Sequence, residues 1–264
     1  MSAQAEFDAF SRFEARPLTP ALGAELIGAD LTRPDSQLFD EVHSALLQYK
    51  VVFFRDQALD REQHIAFARG FGELEIHPAT PTDQPNPEVL RIAHGPKSRG
   101  SENNWHSDVT WRERPSLGSI LRAIELPDNG GDTLFANQYA AYAQLSDGLK
   151  SCLKALNGVN VAGKKQVSAT RSERVKDLGR EVKAEQMCGI HPVVRIHPET
   201  DKRALFVNPA HTLKFDGWTE QESEGLLNHI FTHQIAPEFQ CRLRWQPGDI
   251  AIWDNRCTLH YPLN

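Results

Sequence analysis

Residues 248–262, GDIAIWDNRCTLHYP, place a short apolar run before a turn-like stretch that carries a histidine. The run GDIAIW contains β-branched and aromatic side chains and predicts a strand. His260 lies in the turn-like stretch that follows, and we expect Asp254 and Asn255 to fix the turn that presents it. This stretch therefore predicts a β-framework that holds a potential ligand just after one of its strands.

Similar strand-like runs recur along the whole chain. They are short, rich in β-branched and aromatic residues, and separated by turn residues such as PDNGG. Many short strands without regular alternation of strand and helix predict a mainly β protein with flanking helices, α+β in class, built as a sandwich or barrel. The predicted strands are VVFFR, EVLRIA, HSDVTW, LGSILRAIEL, DTLFAN, HPVVRIHP, RALFVN, EFQCRLRW and GDIAIWDN.

Helical patterns lie between these runs. The clearest follows Asp35, a candidate N-cap, and has an apolar face of Leu38, Val42, Ala45 and Leu46. The other helices are predicted at two capping boxes, Asp60–Gln63 and Thr219–Glu222, and as two patterns within 139–156. From 80 to 100, proline, glycine and charge predict a mobile loop near a site, and the basic stretch 163–186 predicts a solvated insertion, with a lid as the alternative.

Composition limits the class of protein. A chain of 264 residues that is 40% hydrophobic can bury a sizeable core, and we expect one domain over residues 1–264. No apolar run approaches the roughly 20 residues that cross a bilayer, and no signal-peptide pattern begins the chain, so we expect a cytoplasmic protein without membrane contact. The net charge of -6 argues against a nucleic-acid partner. The four cysteines form no C-x-x-C pair and should be reduced.

A second stretch, NNWHSDVTW at 103–111, carries a histidine and a carboxylate two residues apart. On a strand, His106 and Asp108 would point to one face and present both ligand atoms to one cavity. With His260 the set becomes two histidines and one carboxylate, which is typical of non-haem iron(II) oxygenases and leaves positions for co-substrate and dioxygen. Zinc accepts the same ligands, so a zinc hydrolase is an alternative of another class.

Three stretches, NNWHSDVTW, GGDTLFAN and WDNRCTLHYP, resemble the signature stretches of the taurine dioxygenase family, which includes the 2,4-dichlorophenoxyacetate dioxygenases. The resemblance covers nearly the whole chain and looks closest to the taurine dioxygenases themselves. It implies a jelly-roll core, a double-stranded β-helix, and a dioxygenase that depends on iron(II), 2-oxoglutarate and O2. It also implies that His106, Asp108 and His260 are the catalytic iron ligands and that the Thr133 hydroxyl binds a carboxylate of 2-oxoglutarate.

The family anchors the other carboxylate of 2-oxoglutarate on an arginine beyond the distal histidine, because a guanidinium matches a carboxylate in charge and shape. No basic residue follows His260 in this chain. We expect a short C-terminal segment beyond Asn264 to supply that arginine; the alternative is a form that does not hold 2-oxoglutarate normally. Arg256 lies close by but matches the arginine of the family's WDNR stretch, and we expect it to be structural.

The same resemblance implies positions that bind the prime substrate. His77 matches a histidine that contacts the sulfonate in taurine dioxygenases, and Phe206 matches an aromatic residue of the taurine pocket. Thr80 and Glu102 replace a tyrosine and an asparagine of that pocket, which places taurine itself in question. We expect a small anionic substrate, taurine or a related alkylsulfonate, with release of sulfite, succinate and CO2. Alkyl sulfate esters and aryloxyalkanoates are the alternatives within the class.

Two further expectations concern assembly and activity. Members of the family often form dimers or tetramers, so we expect a homo-oligomer. The missing arginine favours a third alternative, a non-catalytic jelly roll that binds a small anion.

His229 and His233 have the i, i+4 spacing of zinc ligands, but no acidic partner or third ligand stands at a recognisable spacing, and we expect a helix surface feature.

Overall fold

A computed structural model describes residues 10–77, 80, 85–93, 103–162 and 187–263. None of the helices in these ranges is long and apolar enough to cross a bilayer. The strands are β1 Glu14–Pro17, β2 Ala24–Ile27, β3 Val51–Phe54, β4 Gly118–Arg122, β5 Thr133–Asn137, β6 Asn157–Val161, β7 Cys188–Pro192, β8 Val194–Ile196, β9 Arg203–Leu205, β10 Thr212–Phe215, β11 Gln240–Leu243, β12 Ile250–Asp254 and β13 Thr258–Pro262. The helices are α1 Ser36–Tyr49, α2 Arg61–Arg69, α3 Gln138–Ala143, α4 Asp147–Leu153, α5 Glu220–His233 and the 3-10 helix Pro237–Phe239.

Two sheets form the centre of the molecule. The larger sheet has the strand order β1-β2-β3-β12-β4, and the smaller has the order β11-β5-β13. Neighbouring strands run antiparallel, except that β2 and β3 run parallel. Two further sheets have the orders β10-β6-β7 and β8-β9. The chain is therefore mainly β with flanking helices, as the sequence predicts.

The central strand β12 explains why GDIAIW is apolar throughout rather than alternating. Ile250 and Ile252 pack on one face of the larger sheet with apolar residues of α1, including Leu46. Ala251 and Trp253 point to the opposite face and pack with residues of β5 and β11. Successive side chains of a strand face opposite ways, so a strand covered on both faces needs apolar residues at every position. The larger sheet is therefore enclosed between α1 and the smaller sheet.

The connection from β12 to β13 brings the two sheets together. Since β12 belongs to the larger sheet and β13 to the smaller, residues 255–257 carry the chain from one sheet to the other. Within β13, His260 lies opposite Phe135 of β5. Within β12, Trp253 lies opposite Ser119 of β4. The candidate ligand at position 260 thus stands where both sheets meet.

The helix predictions hold in detail. The Asp35 carboxylate caps α1 by accepting a hydrogen bond from the Leu38 N–H, and the predicted apolar face of this helix is buried. Both capping boxes form, one at the start of α2 and one at the start of α5. Two short helices, α3 and α4, occupy the region 139–156 as predicted, with α3 beginning one residue earlier. The basic stretch 163–186 and most of the 80–100 loop lie outside the described residues.

The structure corrects three local predictions. HSDVTW is not a strand: His106 makes one isolated β-bridge, and Asp108 begins a turn in which Val109 has a positive φ of 47°. A β-branched residue with positive φ is strained, and strand propensity alone could not anticipate it. EVLRIA at 88–93 has no strand pairing. His260 lies inside β13 and not in a turn.

Candidate metal centre

His106, Asp108 and His260 come together as the sequence predicts. One ligand atom from each lies within 4.8 Å of the others, and they form one of two such groups among the described residues. Asp108 Oδ1 is 3.6 Å from His106 Nε2 and 3.7 Å from His260 Nε2. Two ligands that each bind an ion at about 2.1 Å can be no more than about 4.2 Å apart. Both distances from Asp108 Oδ1 lie within that limit, and all three ligand atoms lie within 4.8 Å of one another, which suits a shared metal ion.

The backbone locks the two histidines opposite each other. The His106 N–H donates to the His260 carbonyl at 3.0 Å, and the His260 N–H donates to the His106 carbonyl at 2.8 Å. This reciprocal pair is the isolated bridge, and it places His106 beside the middle of β13, on the edge away from β5. The H-x-D spacing works here through one bridge followed by a turn, rather than through the common strand face that the sequence predicts.

Hydrogen bonding also sets the tautomer of His106. Its Nδ1 lies 2.8 Å from the Asn104 carbonyl oxygen. A carbonyl can only accept, so Nδ1 carries the proton and Nε2 presents its lone pair to the ligand cluster. A ligand histidine in a protein commonly has its other nitrogen held in this way. His106 is thus prepared as an Nε2 ligand.

Electrostatics favour the protonation states that a metal needs. Burial would raise the pKa of Asp108, but the neighbouring His260 and His106, with the Ser119 hydrogen bond, lower it to about 2. Burial, followed by the neighbouring His106, lowers the pKa of His260 to about 3. At neutral pH, Asp108 is therefore a carboxylate and His260 a neutral imidazole, the forms in which these side chains bind metals.

Thr133 begins β5 and lies opposite Pro262 in β13. Residues two apart on a strand share a face, so Thr133 points to the same side as Phe135, the partner of His260. Its hydroxyl is buried and accepts a hydrogen bond from the Trp245 indole N–H at 3.0 Å. Because the indole can only donate, the Thr133 O–H remains available to donate to another acceptor.

The residues predicted to bind the prime substrate contact different neighbours in the structure. His77 is half-buried, and its ring lies edge-on to Trp111 with centroids 6.3 Å apart. Phe206 packs edge-on against His191 at 5.4 Å, with the Arg195 guanidinium 4.7 Å above its ring. Thr80 is buried, and Glu102 lies outside the described residues.

A histidine that the sequence analysis missed, His211, lies close to the ligand cluster. Its ring centroid is 6.3 Å from that of His106, at an interplanar angle of 88°, and it is 1% exposed. Its proximity contributes to lowering the Asp108 pKa. The His211 N–H donates to Asn208 Oδ1 at 2.9 Å, which holds the turn in place. Asn208 and Pro209 in NPAH are turn-forming residues, but they do not predict where the His211 ring points.

The second group with ligand-like spacing consists of His197, Asp254 and Cys257. Hydrogen bonds within the protein already occupy the atoms that would bind a metal. His197 Nε2 lies 2.9 Å from Asp254 Oδ2, and its Nδ1 accepts backbone N–H groups at 199 and 200. Nε2 therefore carries the proton, and neither nitrogen has a lone pair for a metal. Asp254 also accepts from the Arg256 guanidinium at 2.8 and 2.7 Å. Hydrogen bonds between Arg256 and Asp254 tie together the turn before β13, which agrees with the structural role expected for these two residues.

Comparisons with known proteins agree with this geometry. A family model described as "Taurine catabolism dioxygenase TauD, TfdA family" matches residues 14–262. The chain is similar to an "Alkylsulfatase" of Acinetobacter baylyi, 36% identical over 96% of this chain and 80% of the relative. It is also similar to an "Alpha-ketoglutarate-dependent sulfate ester dioxygenase" of Pseudomonas putida, 33% identical over 95% of this chain and 84% of the relative. A crystal structure of a putative alpha-ketoglutarate-dependent taurine dioxygenase from Burkholderia xenovorans superposes with a TM-score of 0.80, at 37% identity, over 96% of this chain and 83% of that one. This structural likeness confirms the predicted jelly-roll core.

Proposed function

The chain belongs to the TauD, TfdA family and is a 2-oxoglutarate-dependent dioxygenase, and on that basis we propose that it hydroxylates a small organosulfur anion at an iron(II) centre held by His106, Asp108 and His260. The observation that carries the proposal is the position of Asp108 Oδ1, which faces Nε2 of both histidines at 3.6 and 3.7 Å. Membership of this family does not support the two alternatives of other classes, a zinc hydrolase and a non-catalytic protein that binds an anion.

The residues present fit iron(II). Two imidazole nitrogens and one carboxylate oxygen on one side of an ion match the facial ligand set of non-haem iron(II) oxygenases. The bound ion, with 2-oxoglutarate and dioxygen, supplies the oxidising power for hydroxylation while 2-oxoglutarate loses CO2 to become succinate. The chain itself holds the ligands in their binding protonation states and orients the reactants.

Thr133 fits a role at 2-oxoglutarate. The Trp245 indole N–H occupies its oxygen as an acceptor, so its own proton can be donated to a carboxylate. A hydrogen bond from a hydroxyl to a carboxylate is charge-assisted and stronger than one between neutral groups. We therefore assign Thr133 to one carboxylate of 2-oxoglutarate, on the face of β5 that it shares with Phe135.

For the prime substrate we propose an alkylsulfonate, with taurine as the first candidate. His77 and Phe206 match substrate positions of the family. Glu102 replaces the family's asparagine, and we propose that its carboxylate pairs with an amino group such as that of taurine. The ring of His211 lies 6.3 Å from the His106 ring, and we add it as a donor to the anionic group. Hydroxylation of the carbon that bears the sulfonate would break the C–S bond and give an aldehyde and sulfite.

A second candidate is an alkyl sulfate ester. Two relatives that are 36% and 33% identical are described as an alkylsulfatase and a sulfate ester dioxygenase. Hydroxylation of the carbon next to the ester oxygen would give an aldehyde and sulfate, where a sulfonate gives sulfite. The sulfur anion released therefore distinguishes the two substrate classes.

The test is a product assay on protein loaded with iron(II) under anaerobic conditions and then exposed to oxygen with 2-oxoglutarate. The panel contains taurine, other alkylsulfonates, alkyl sulfate esters and aryloxyalkanoates, and succinate, sulfite and sulfate are measured. Succinate and sulfite in equal amounts from a sulfonate would support the first candidate. Stimulation by sulfate esters alone would replace it with the second, and stimulation by aryloxyalkanoates alone would exclude an organosulfur substrate.

We also propose that residues 1–264 form one domain and assemble as a dimer or tetramer. The family match over residues 14–262 supports a single domain. Light scattering coupled to size-exclusion chromatography measures the assembly, and a mass near 29.7 kDa would count against it.

A further inference from the structure

The two oxygens of the Asp108 carboxylate have different surroundings. Oδ1 faces Nε2 of His106 and of His260. Oδ2 accepts a hydrogen bond from the Ser119 hydroxyl at 2.6 Å. Only one oxygen of the carboxylate is therefore turned to the ligand cluster, and the other is held by a residue of β4.

Asn255 determines the direction of that hydrogen bond. Its Oδ1 lies 3.0 Å from the Trp253 indole nitrogen, which can only donate, so this atom is the amide oxygen. The amide nitrogen therefore faces Ser119 and donates to its Oγ at 3.1 Å. Since Ser119 Oγ already accepts from Asn255, its own proton is directed to Asp108 Oδ2. The chain of donors leaves no other consistent assignment for these four groups.

We propose that Ser119 and Asn255 are positioning residues that hold Asp108 as a ligand through one oxygen only. The inference rests on the proposed iron site at His106, Asp108 and His260. A carboxylate with both oxygens free can bind a metal through either one or two of them. The hydrogen bond from Ser119 occupies Oδ2 and so prevents Asp108 from binding the metal through both oxygens.

The number of coordination positions left open on the metal explains why Asp108 should bind through one oxygen only. Three single-atom ligands leave three positions on a six-coordinate ion, whereas a two-oxygen Asp108 would leave two. The co-substrates 2-oxoglutarate and dioxygen would need the positions that His106, Asp108 and His260 leave open on the ion. Without the Ser119 hydrogen bond, the carboxylate would compete for a position that a reactant must take.

The surrounding backbone makes the arrangement rigid. Ser119 lies opposite Trp253 in the β4–β12 ladder, and a Cβ at Gly118 would stand 2.5 Å from the Trp253 carbonyl oxygen. Only glycine permits so close an approach of the two strands. The Asn255 carbonyl also accepts from the Ser107 hydroxyl at 2.6 Å, which ties the turn to the residue just before Asp108.

The test uses Mn(II) as the probe, because it accepts the same ligands and its bound waters speed the relaxation of bulk water protons. Ser119→Ala should weaken Mn(II) binding by about tenfold, in line with other losses of hydrogen bonds to metal ligands. It should also lower the relaxation enhancement per bound Mn(II) by roughly a third, since two waters replace three. Ser119→Thr keeps the hydroxyl and should restore both values.

Two variants complete the experiment. Asn255→Asp has the same shape but no N–H for Ser119, so it should lower the relaxation enhancement as Ser119→Ala does. Ser146→Ala removes a hydroxyl that caps α4, away from the ligands, and should lower the melting temperature without changing Mn(II) binding.

Unchanged affinity and relaxation in folded Ser119→Ala would overturn the inference while leaving the iron site intact. Failure of the wild-type protein to bind Mn(II) would overturn both. The product assay with iron and 2-oxoglutarate on the wild-type protein tests the proposed function separately, because it measures the products formed and not how Asp108 binds the ion.

Discussion

Replacing Asp254 by alanine should lower the free energy of unfolding by about 3–5 kcal/mol. Asp254 is 1% exposed and accepts hydrogen bonds from His197 and from two nitrogens of the Arg256 guanidinium. The Arg256 side chain is itself only 8% exposed. Removing one partner of a buried ion pair leaves the other charge uncompensated, which typically costs this amount. Glu199, which still binds Arg256 at 2.5 Å, should keep the loss near the lower end.

Urea unfolding at equilibrium, followed by circular dichroism, measures the change. At about 2–4 °C per kcal/mol for a chain of this size, the melting temperature should fall by roughly 6–20 °C. Asp35→Asn is a matched control, because it keeps a good N-cap but removes the charge that pairs with Arg12 on the surface. That exposed pair should contribute little to stability, because solvent and salt screen charges at the surface. An Asp254→Ala loss no larger than the control loss would refute the argument from burial.

The ion pair of Asp254 and Arg256 also predicts how the free energy of unfolding depends on pH. Burial would raise the pKa of Asp254, but hydrogen bonds from Arg256 and His197 lower it below its usual value. A carboxyl whose pKa is lower in the folded state adds stability above its unfolded pKa of about 4, and that stability is lost as the pH falls through the folded value. The difference between wild type and Asp254→Ala should therefore be largest near neutral pH and shrink below about pH 4. A constant difference down to pH 2 would contradict the assignment.

Three further predictions follow from the site and the cysteines. His260→Ala should abolish Mn(II) binding and iron-dependent succinate formation, with a far-UV spectrum like that of wild type; retained activity would remove His260 from the ligand set. Thr133→Val should raise the dissociation constant for 2-oxoglutarate at least about tenfold, as expected for a hydrogen bond to a charged group, with Mn(II) affinity unchanged in calorimetry. Burial raises the pKa of Cys241 to about 12 and that of Cys257 well above its usual value, so a thiol reagent at pH 8 should label two thiols in the native protein and four after unfolding. Four rapidly labelled native thiols would contradict this burial. The expected reactive pair is Cys152 and Cys188, which are exposed.

The sequence predicts those elements whose local pattern agrees with their final surroundings. The helix after Asp35 has its apolar residues on one face and a cap at its start, so periodicity and capping both point to the observed α1. GDIAIW is apolar at every position because the strand is covered on both faces. In each case, the signal lies within a few neighbouring residues.

The sequence fails to predict local structure where residues far apart in the chain determine it. HSDVTW has the composition of a strand, but His106 pairs with His260 through a single bridge, and Val109 then takes a positive φ. His211 reaches the ligand cluster through a turn held by Asn208, which no periodicity can place. The roles of Ser119 and Asn255 depend on the register of β4 with β12, which the sequence does not state.

The reciprocal hydrogen bonds between His106 and His260 join positions that are 154 residues apart in the chain. During translation, at about 5–20 residues per second, the second histidine is added roughly 8–30 s after the first. Between these two events a nascent chain presents only the H-x-D pair of the proposed ligands, and the proposed set becomes complete only after the segment around β13 has been made. Under the proposed ligand assignment, tight binding of the metal therefore has to wait until His260 has been made, and a ribosome stalled before codon 260 would carry a chain that cannot hold the ion tightly.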